Sequence, residues 1–172
     1  AQTPIALAPK PALRWWSTAA KRRIRPLAHF GDYLTYGYFP YFRESVETYH
    51  RKLEQTLALA IAPDIPLLFK VERDKLASLK KLLMLLCQSV PNQINISKLS
   101  AAIGSSRSTT YAYLHYLEQA NISRSVWGAG RNASMLSKPE KLYLANTNNA
   151  WALCPAPPVG TVRETFFASQ LA

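Results

Sequence analysis

The stretch that most constrains the fold is NISKLSAAIGSSRSTTYAYLHYLEQANI, residues 95–122. Ser97 can cap a short helix carrying Leu99, Ala102 and Ile103. Gly104 supplies a turn residue for which positive φ carries no steric cost, and SSRS starts a second helix through Tyr113, Leu114 and Leu117. A small residue at Ser100, a glycine four positions later and apolar or branched residues at Thr110 and Leu114 match a helix–turn–helix. The small residue lets the two helices cross closely. Thr110 departs from the Val or Ile usual at its position, but its branched side chain can pack while its hydroxyl bonds back to the preceding turn. After Ile122, SRSVWGAG and EKLYLANT read as two strands joined by a loop rich in Gly, Asn, Ser and Lys. Helix, helix–turn–helix and hairpin in that order make a winged helix.

Upstream, prolines at 4, 9, 11 and 26 break any sustained period, so residues 1–27 read as an irregular basic lead-in, with Trp15 and Trp16 expected to dock on another surface. A helix over residues 28–36 should stop at Gly37, and Pro40 prevents its immediate resumption. Ser45 is the expected N-cap of a second helix whose inward face carries Val46, Tyr49, Leu53, Leu57, Ala60 and Ile61, ending before Pro63. A third helix, over residues 74–89, turns Leu76, Leu79, Leu82, Leu83, Met84 and Leu86 inward or nearly so and closes at Pro91. Between the first two helices, YLTYGYFPYF (residues 33–42) holds six of the chain's fifteen Tyr and Phe residues. Stacking on nucleobases is one use for such rings in a basic chain; packing the corner between two helices is the other.

Charge narrows the partners. The chain carries 21 Lys and Arg against 10 Asp and Glu, a net charge of +11, and Lys10, Arg14, Lys21, Arg22, Arg23 and Arg25 all precede the first acidic residue, Asp32. From Lys75 to His115 no Asp or Glu occurs, while Lys75, Lys80, Lys81, Lys98 and Arg107 do. Such a field favours a phosphate backbone or another acidic partner, although Lys80 and Lys81 equally suit the wet face of a helix. Ser105, Ser106, Arg107, Ser108, Thr109 and Tyr111 lie at the start of the second helix of the pair, where hydroxyls, backbone N–H groups and the helix dipole can meet phosphate of double-stranded DNA. Arg124, Arg131 and Lys138 sit on or near the wing. Two plainer readings stand beside this one: the serines are also ordinary capping residues, and many winged helices dock proteins.

Other functions find little support. Cys87 and Cys154 stand far apart without companions and read as buried thiols of a reduced, cytoplasmic protein, with neither a disulfide nor a zinc site. His29, His50 and His115 are dispersed one per helix, so no metal site is expected. No G-x-x-x-x-G-K-[ST], H-E-x-x-H or G-x-S-x-G occurs and the ten carboxylates form no obvious acid–base pair, so the chain is expected to be neither an enzyme nor a cofactor binder. No window approaches eighteen apolar residues, and the opening segment lacks the basic and apolar regions of a signal peptide, so no membrane association is expected.

Taken in order, Tyr33, Leu34, Gly37, Phe39 and Pro40, then DIP at residues 64–66, then Lys141, Tyr143, Asn146 and Thr147, then Gly160, Glu164 and Leu171 resemble the C-terminal half of predicted prokaryotic AAA-type ATPases that end in a nuclease-like domain of unknown function. The resemblance covers roughly residues 28–172 and departs from the family at Asn146, where Asp is frequent, and at Thr165, where Asn is usual. It implies a mainly α fold with a small β-hairpin: a helical lid-like subdomain over residues 28–66, a winged helix–turn–helix over residues 67–153, and a linker with the start of a further domain over residues 154–172. The aromatic cluster then closes the lid, with Gly37 and Pro40 shaping its corner. It also implies an excised, non-catalytic piece whose partners include an absent ATPase core and C-terminal domain. ATP and Mg would belong to that parent, and Arg43, nearest the lid motif, would be the lid arginine facing the γ-phosphate. The expected role is to couple nucleotide state to DNA or partner binding; the alternatives are a free-standing winged-helix DNA-binding regulator and a protein-docking module.

Overall fold

The computed structural model describes residues 25–89, 95–127 and 139–171. Trp15, Trp16, Pro91 and the expected wing residues Arg131 and Lys138 lie outside them. The chain divides into two compact units, residues 1–33 and 34–172. In the described part of the first, α1 (Pro26–Tyr36) opens on a proline, which suits a position whose N–H would lack an acceptor anyway. Its first turn closes with His29 N–H donating to the Arg25 carbonyl at 3.1 Å.

In the second unit, α1 ends at Tyr36 just before Gly37, and PYFR (Pro40–Arg43) then forms a short 3-10 turn. Phe39 is extended, at φ −106° and ψ 150°, as the proline after it requires. Helix α2 (Tyr49–Leu59) buries Tyr49, Leu53 and Leu57. It starts later than expected: Ser45 accepts the Thr48 N–H at 3.3 Å in the preceding turn, and Val46 is exposed. The expected stop before Pro63 is absent. The chain instead runs through a π-helical turn, Ala60–Asp64, into α3 (Ile65–Phe69). A widened turn accommodates a residue that has no N–H and whose ring would crowd the carbonyl four residues back, and it keeps Ile61 and Ile65 buried.

Helix α4 (Leu76–Gln88) buries Leu79, Leu82, Leu83, Leu86 and Cys87. Met84, grouped with them from the sequence, falls off that three-and-four repeat and is exposed. Helix α5 (Ile96–Ile103) is capped by Asn95, whose side chain accepts the Lys98 N–H at 3.0 Å; Ser97 lies inside the first turn and is not the cap. Gly104 then takes the left-handed conformation, φ 67°, and α6 (Arg107–Gln119) follows. It ends on Asn121, also left-handed at φ 53°, with Ile122 N–H closing on the Leu117 carbonyl at 2.8 Å. Strands β1 (Ser123–Val126) and β2 (Lys141–Leu144) pair antiparallel, Ser123 opposite Leu144 and Val126 opposite Lys141. The fold is thus mainly α with a small β-hairpin, as expected. Two further helices follow, α7 (Thr147–Leu153) and α8 (Val159–Gln170). The last helix lies within the expected linker and further-domain segment and buries Thr161, Val162 and Thr165. Among the described residues no helix is long and apolar enough to cross a membrane.

One apolar core runs through the second unit, from Tyr49, Leu53 and Ile65 to Leu79, Leu82, Leu117, Leu144 and Cys154. Each of the fully buried leucines contributes roughly 1.5–3 kcal/mol. Residues of the expected lid and of the expected winged helix therefore share this core. Its polar fastening is Asn148 on α7, a fully buried residue. Its Oδ1 accepts the Tyr38 N–H at 2.7 Å and the Tyr49 hydroxyl at 2.5 Å, while its Nδ2 donates to the Leu34 carbonyl at 2.8 Å. The rings of Tyr36 and Tyr41 meet Tyr49 edge-on, with centroids 6.0 and 6.2 Å away, and Phe39 stacks on Tyr41. The aromatic run thus forms a packed corner around Tyr49, with Tyr38 and Phe42 left partly exposed.

The cysteines require a correction. Cys87 and Cys154 are buried and joined in a disulfide, with Cα atoms 6.3 Å apart across a sequence separation of 67. Folding packs the end of α4 against the end of α7, and no spacing along the chain reveals that proximity.

Replacing Asn148 tests the fastening. Asn148→Ala leaves a buried hydroxyl, a carbonyl and an N–H without their partner, and should lower unfolding stability by about 3 kcal/mol in urea titrations. A loss below about 0.5 kcal/mol would contradict this role.

Candidate nucleic-acid interface

The turn between α5 and α6 is built from hydroxyls. Ser100 and Thr110, both buried, meet at 2.8 Å where the helices cross. Ser100 Oγ also lies 2.8 Å from the Ile96 carbonyl, and Thr110 Oγ1 2.9 Å from the Ser106 carbonyl. Thr110 thus packs as a branched residue and bonds back one turn. Gly104 completes the bend, with Ser105 N–H closing on the Ser100 carbonyl at 3.0 Å.

This crossing presents the start of α6 to solvent. Ser106 caps the helix, its Oγ accepting the Thr109 N–H at 3.0 Å, and it also meets Ser108 Oγ and Thr109 Oγ1, each at 2.8 Å. Those two hydroxyl–hydroxyl bonds use two of the three available protons, so one hydroxyl proton remains for an outside acceptor. Arg107 and Ser108 are exposed, Ser105, Thr109 and Tyr111 half-buried. The N–H groups of Arg107 and Ser108 have no helical carbonyl to bond, and that of Thr109 is taken by the Ser106 cap. A helix start of this kind, with an exposed guanidinium beside it, can hold a phosphate oxygen. The structure brings together Ser105, Ser106, Arg107, Ser108, Thr109 and Tyr111.

Arg124 stands apart from that group. It lies on β1 opposite Tyr143, at the other end of α6 beside Glu118, whose two carboxylate oxygens accept from Ser125 N–H at 3.1 Å and Ser125 Oγ at 2.9 Å. On the same face of the hairpin, Lys141 Nζ donates to Glu164 Oε2 at 2.7 Å and the Tyr143 hydroxyl donates to the same oxygen at 2.6 Å. These bonds hold the Glu164 carboxyl below its usual range, the Lys141 bond foremost. They raise Lys141 through the same bond, and burial, then the bond to Glu164, raises the Tyr143 phenol. Lys141, Tyr143 and Glu164 were singled out as pieces of a motif; folding makes them one network linking β2 to α8. Arg43, at the end of the 3-10 turn, is exposed and forms no ion pair among the described residues. No group of three or more His, Cys, Asp or Glu side chains among the described residues could hold a metal ion.

Two residues gain roles that the sequence did not assign. Asn146, standing where Asp is frequent in the resembled family, caps α7 by accepting the Asn149 N–H at 2.9 Å, a task either residue performs. Asn148 was missed altogether: TNNAWAL lacks an apolar period, and an asparagine run signals a loop.

Residues 27–155 match the model of a family described as a domain of unknown function, DUF8612, and the chain belongs to that family. The matched span runs from α1 to just beyond α7 and includes the helix pair, the hairpin and Asn148, but not α8 or Glu164. No curated protein and no solved structure matches the chain.

The hairpin network predicts a pH dependence. Because Glu164 titrates lower in the folded chain, its contribution is fully present above the ordinary carboxylate range near pH 4.3 and is lost as pH falls through the lowered folded value. The stability gap between the protein and Glu164→Gln, followed by thermal unfolding, should be open at pH 6 and close on acidification below about pH 4. A gap unchanged down to pH 2.5 would contradict the network.

Proposed function

We propose that the second unit is a non-catalytic, DNA-docking winged-helix module that grips the phosphate backbone with the start of α6. The observation that carries this reading is the exposed end of α6: Arg107, the N–H groups of Arg107 and Ser108, which have no helical acceptor, and the one spare hydroxyl proton of the Ser106–Ser108–Thr109 set. The net charge of +11 supplies the long-range attraction a polyanion requires. The contact set is Ser105, Ser106, Arg107, Ser108, Thr109 and Tyr111, without Arg124, which faces elsewhere. Contacts of this kind position a protein on a duplex and carry little sequence information.

A second reading concerns the corner at residues 34–42. Tyr38 and Leu34 are bonded to Asn148, and Asn148 sits on the core that also holds α6. A movement imposed on such a corner by an ATPase core elsewhere in a larger protein would be passed to the helix pair as a rigid displacement. That is the coupling role implied by the sequence resemblance, in which Arg43, exposed beside the corner, would reach toward ATP and its Mg. The description of the DUF8612 family names no activity, so this parentage rests on the resemblance and on the shared core.

Fluorescence anisotropy with a random-sequence duplex across a range of salt tests the docking proposal. Binding should weaken steeply with salt, and Arg107→Ala should reduce the slope of log K against log salt by about one while weakening sequences alike. Arg124→Met should bind DNA as the parent chain does. No binding at 50 mM salt (roughly the low end of the useful range), or an unchanged slope in Arg107→Ala, would refute it.

A further inference from the structure

A cleft of about 680 Å³ opens between the outer face of the hairpin and the last turns of α8. That volume lies in the range of small-molecule sites, roughly 300–1,000 Å³. Its walls are apolar where Val126, Trp127, Phe167 and Leu171 line it, and Val126, Phe167 and Leu171 are left 36%, 65% and 71% exposed. Large apolar groups gathered around a concavity mark a surface that gains by being covered.

The polar groups in the cleft are nearly all engaged. Both oxygens of Glu118 are held by Ser125, and one oxygen of Glu164 takes both Lys141 and Tyr143. Arg124 is the exception. It forms no ion pair among the described residues, and its Nε is withdrawn from solvent without a hydrogen-bond partner. A guanidinium that lines a cleft without a counter-ion attracts an anion, and its fork fits a carboxylate in two parallel bonds. The charge pattern selects among anions. Among the described residues Lys141 is already spent on Glu164, and Glu118 and Glu164 in the wall repel a dianionic phosphate about twice as strongly as a singly charged carboxylate. A singly charged carboxylate meets a matched partner.

We infer that this cleft is a binding site for a small aromatic monocarboxylate, its carboxylate on Arg124 and its flat body between Trp127 and Phe167. The site is independent of the phosphate-gripping end of α6, since the two lie at opposite ends of that helix. It exists whether or not the chain binds DNA.

The test is isothermal titration calorimetry of the full chain with 2-naphthoate, alongside inorganic phosphate and adenosine monophosphate. Saturable one-site binding of naphthoate is expected, with the two phosphates at least tenfold weaker. Arg124→Met, which keeps the length of the side chain, should weaken naphthoate tenfold or more. Phe167→Ala, at a largely exposed position that the fold does not need, should weaken it several-fold, and Arg107→Ala should leave it unchanged. Absence of saturation at millimolar naphthoate, equal binding of the phosphates, or parental affinity in Phe167→Ala and in a folded Arg124→Met would overturn the assignment.

Discussion

A single buried amide fixes the arrangement on which the rest of the second unit depends. Asn148 offers one acceptor and one donor group, and the chain brings to it a backbone N–H from Tyr38, a hydroxyl from Tyr49 and a backbone carbonyl from Leu34. Those partners lie 99 to 114 residues away in sequence. Each is a group that would be costly to bury unpaired. The corner at residues 34–42 therefore cannot swing away from α7 without exposing or stranding polar groups. Because α7 packs on α2 and on the hairpin through the same core, the corner, the helix pair and the hairpin keep a fixed relation.

Helix α6 links the two functional proposals through its ends. Its first turn, positioned by the Ser100–Thr110 hydroxyl contact and the left-handed Gly104, faces solvent with a guanidinium and the N–H groups of Arg107 and Ser108. Its last turn places Glu118 under the hairpin, where Ser125 occupies both carboxylate oxygens. Arg124 belongs with the second end. Reading it as a wing contact to DNA follows from its place in the sequence. On its strand it stands opposite Tyr143 and lines the cleft.

The helix pair was legible because its signals are local: a small residue at 100, a glycine at 104 and a branched residue at 110 meet within ten residues of chain. The mainly helical architecture and the hairpin followed for the same reason, since period and turn residues need only neighbours. What escaped depended on distant partners. Asn148 sits in a polar run with no period, and its meaning is set by Leu34, Tyr38 and Tyr49. The pairing of Cys87 with Cys154 and the meeting of Lys141 and Tyr143 with Glu164 are likewise products of packing. Pro63 misled in another way. A proline ordinarily ends a helix, but here a π-helical turn absorbs it and Ile65 joins the core beyond the expected stop.

Asn148 and the shared core should make residues 34–170 one cooperative body. Native-state hydrogen exchange under increasing denaturant measures this most directly, because it reports the opening free energy of each element. The slowest amides of Tyr49–Leu59, Leu76–Gln88 and Arg107–Gln119 should converge on one unfolding event. An earlier, separate opening of residues 34–69, with α4 to α6 still protected, would contradict it.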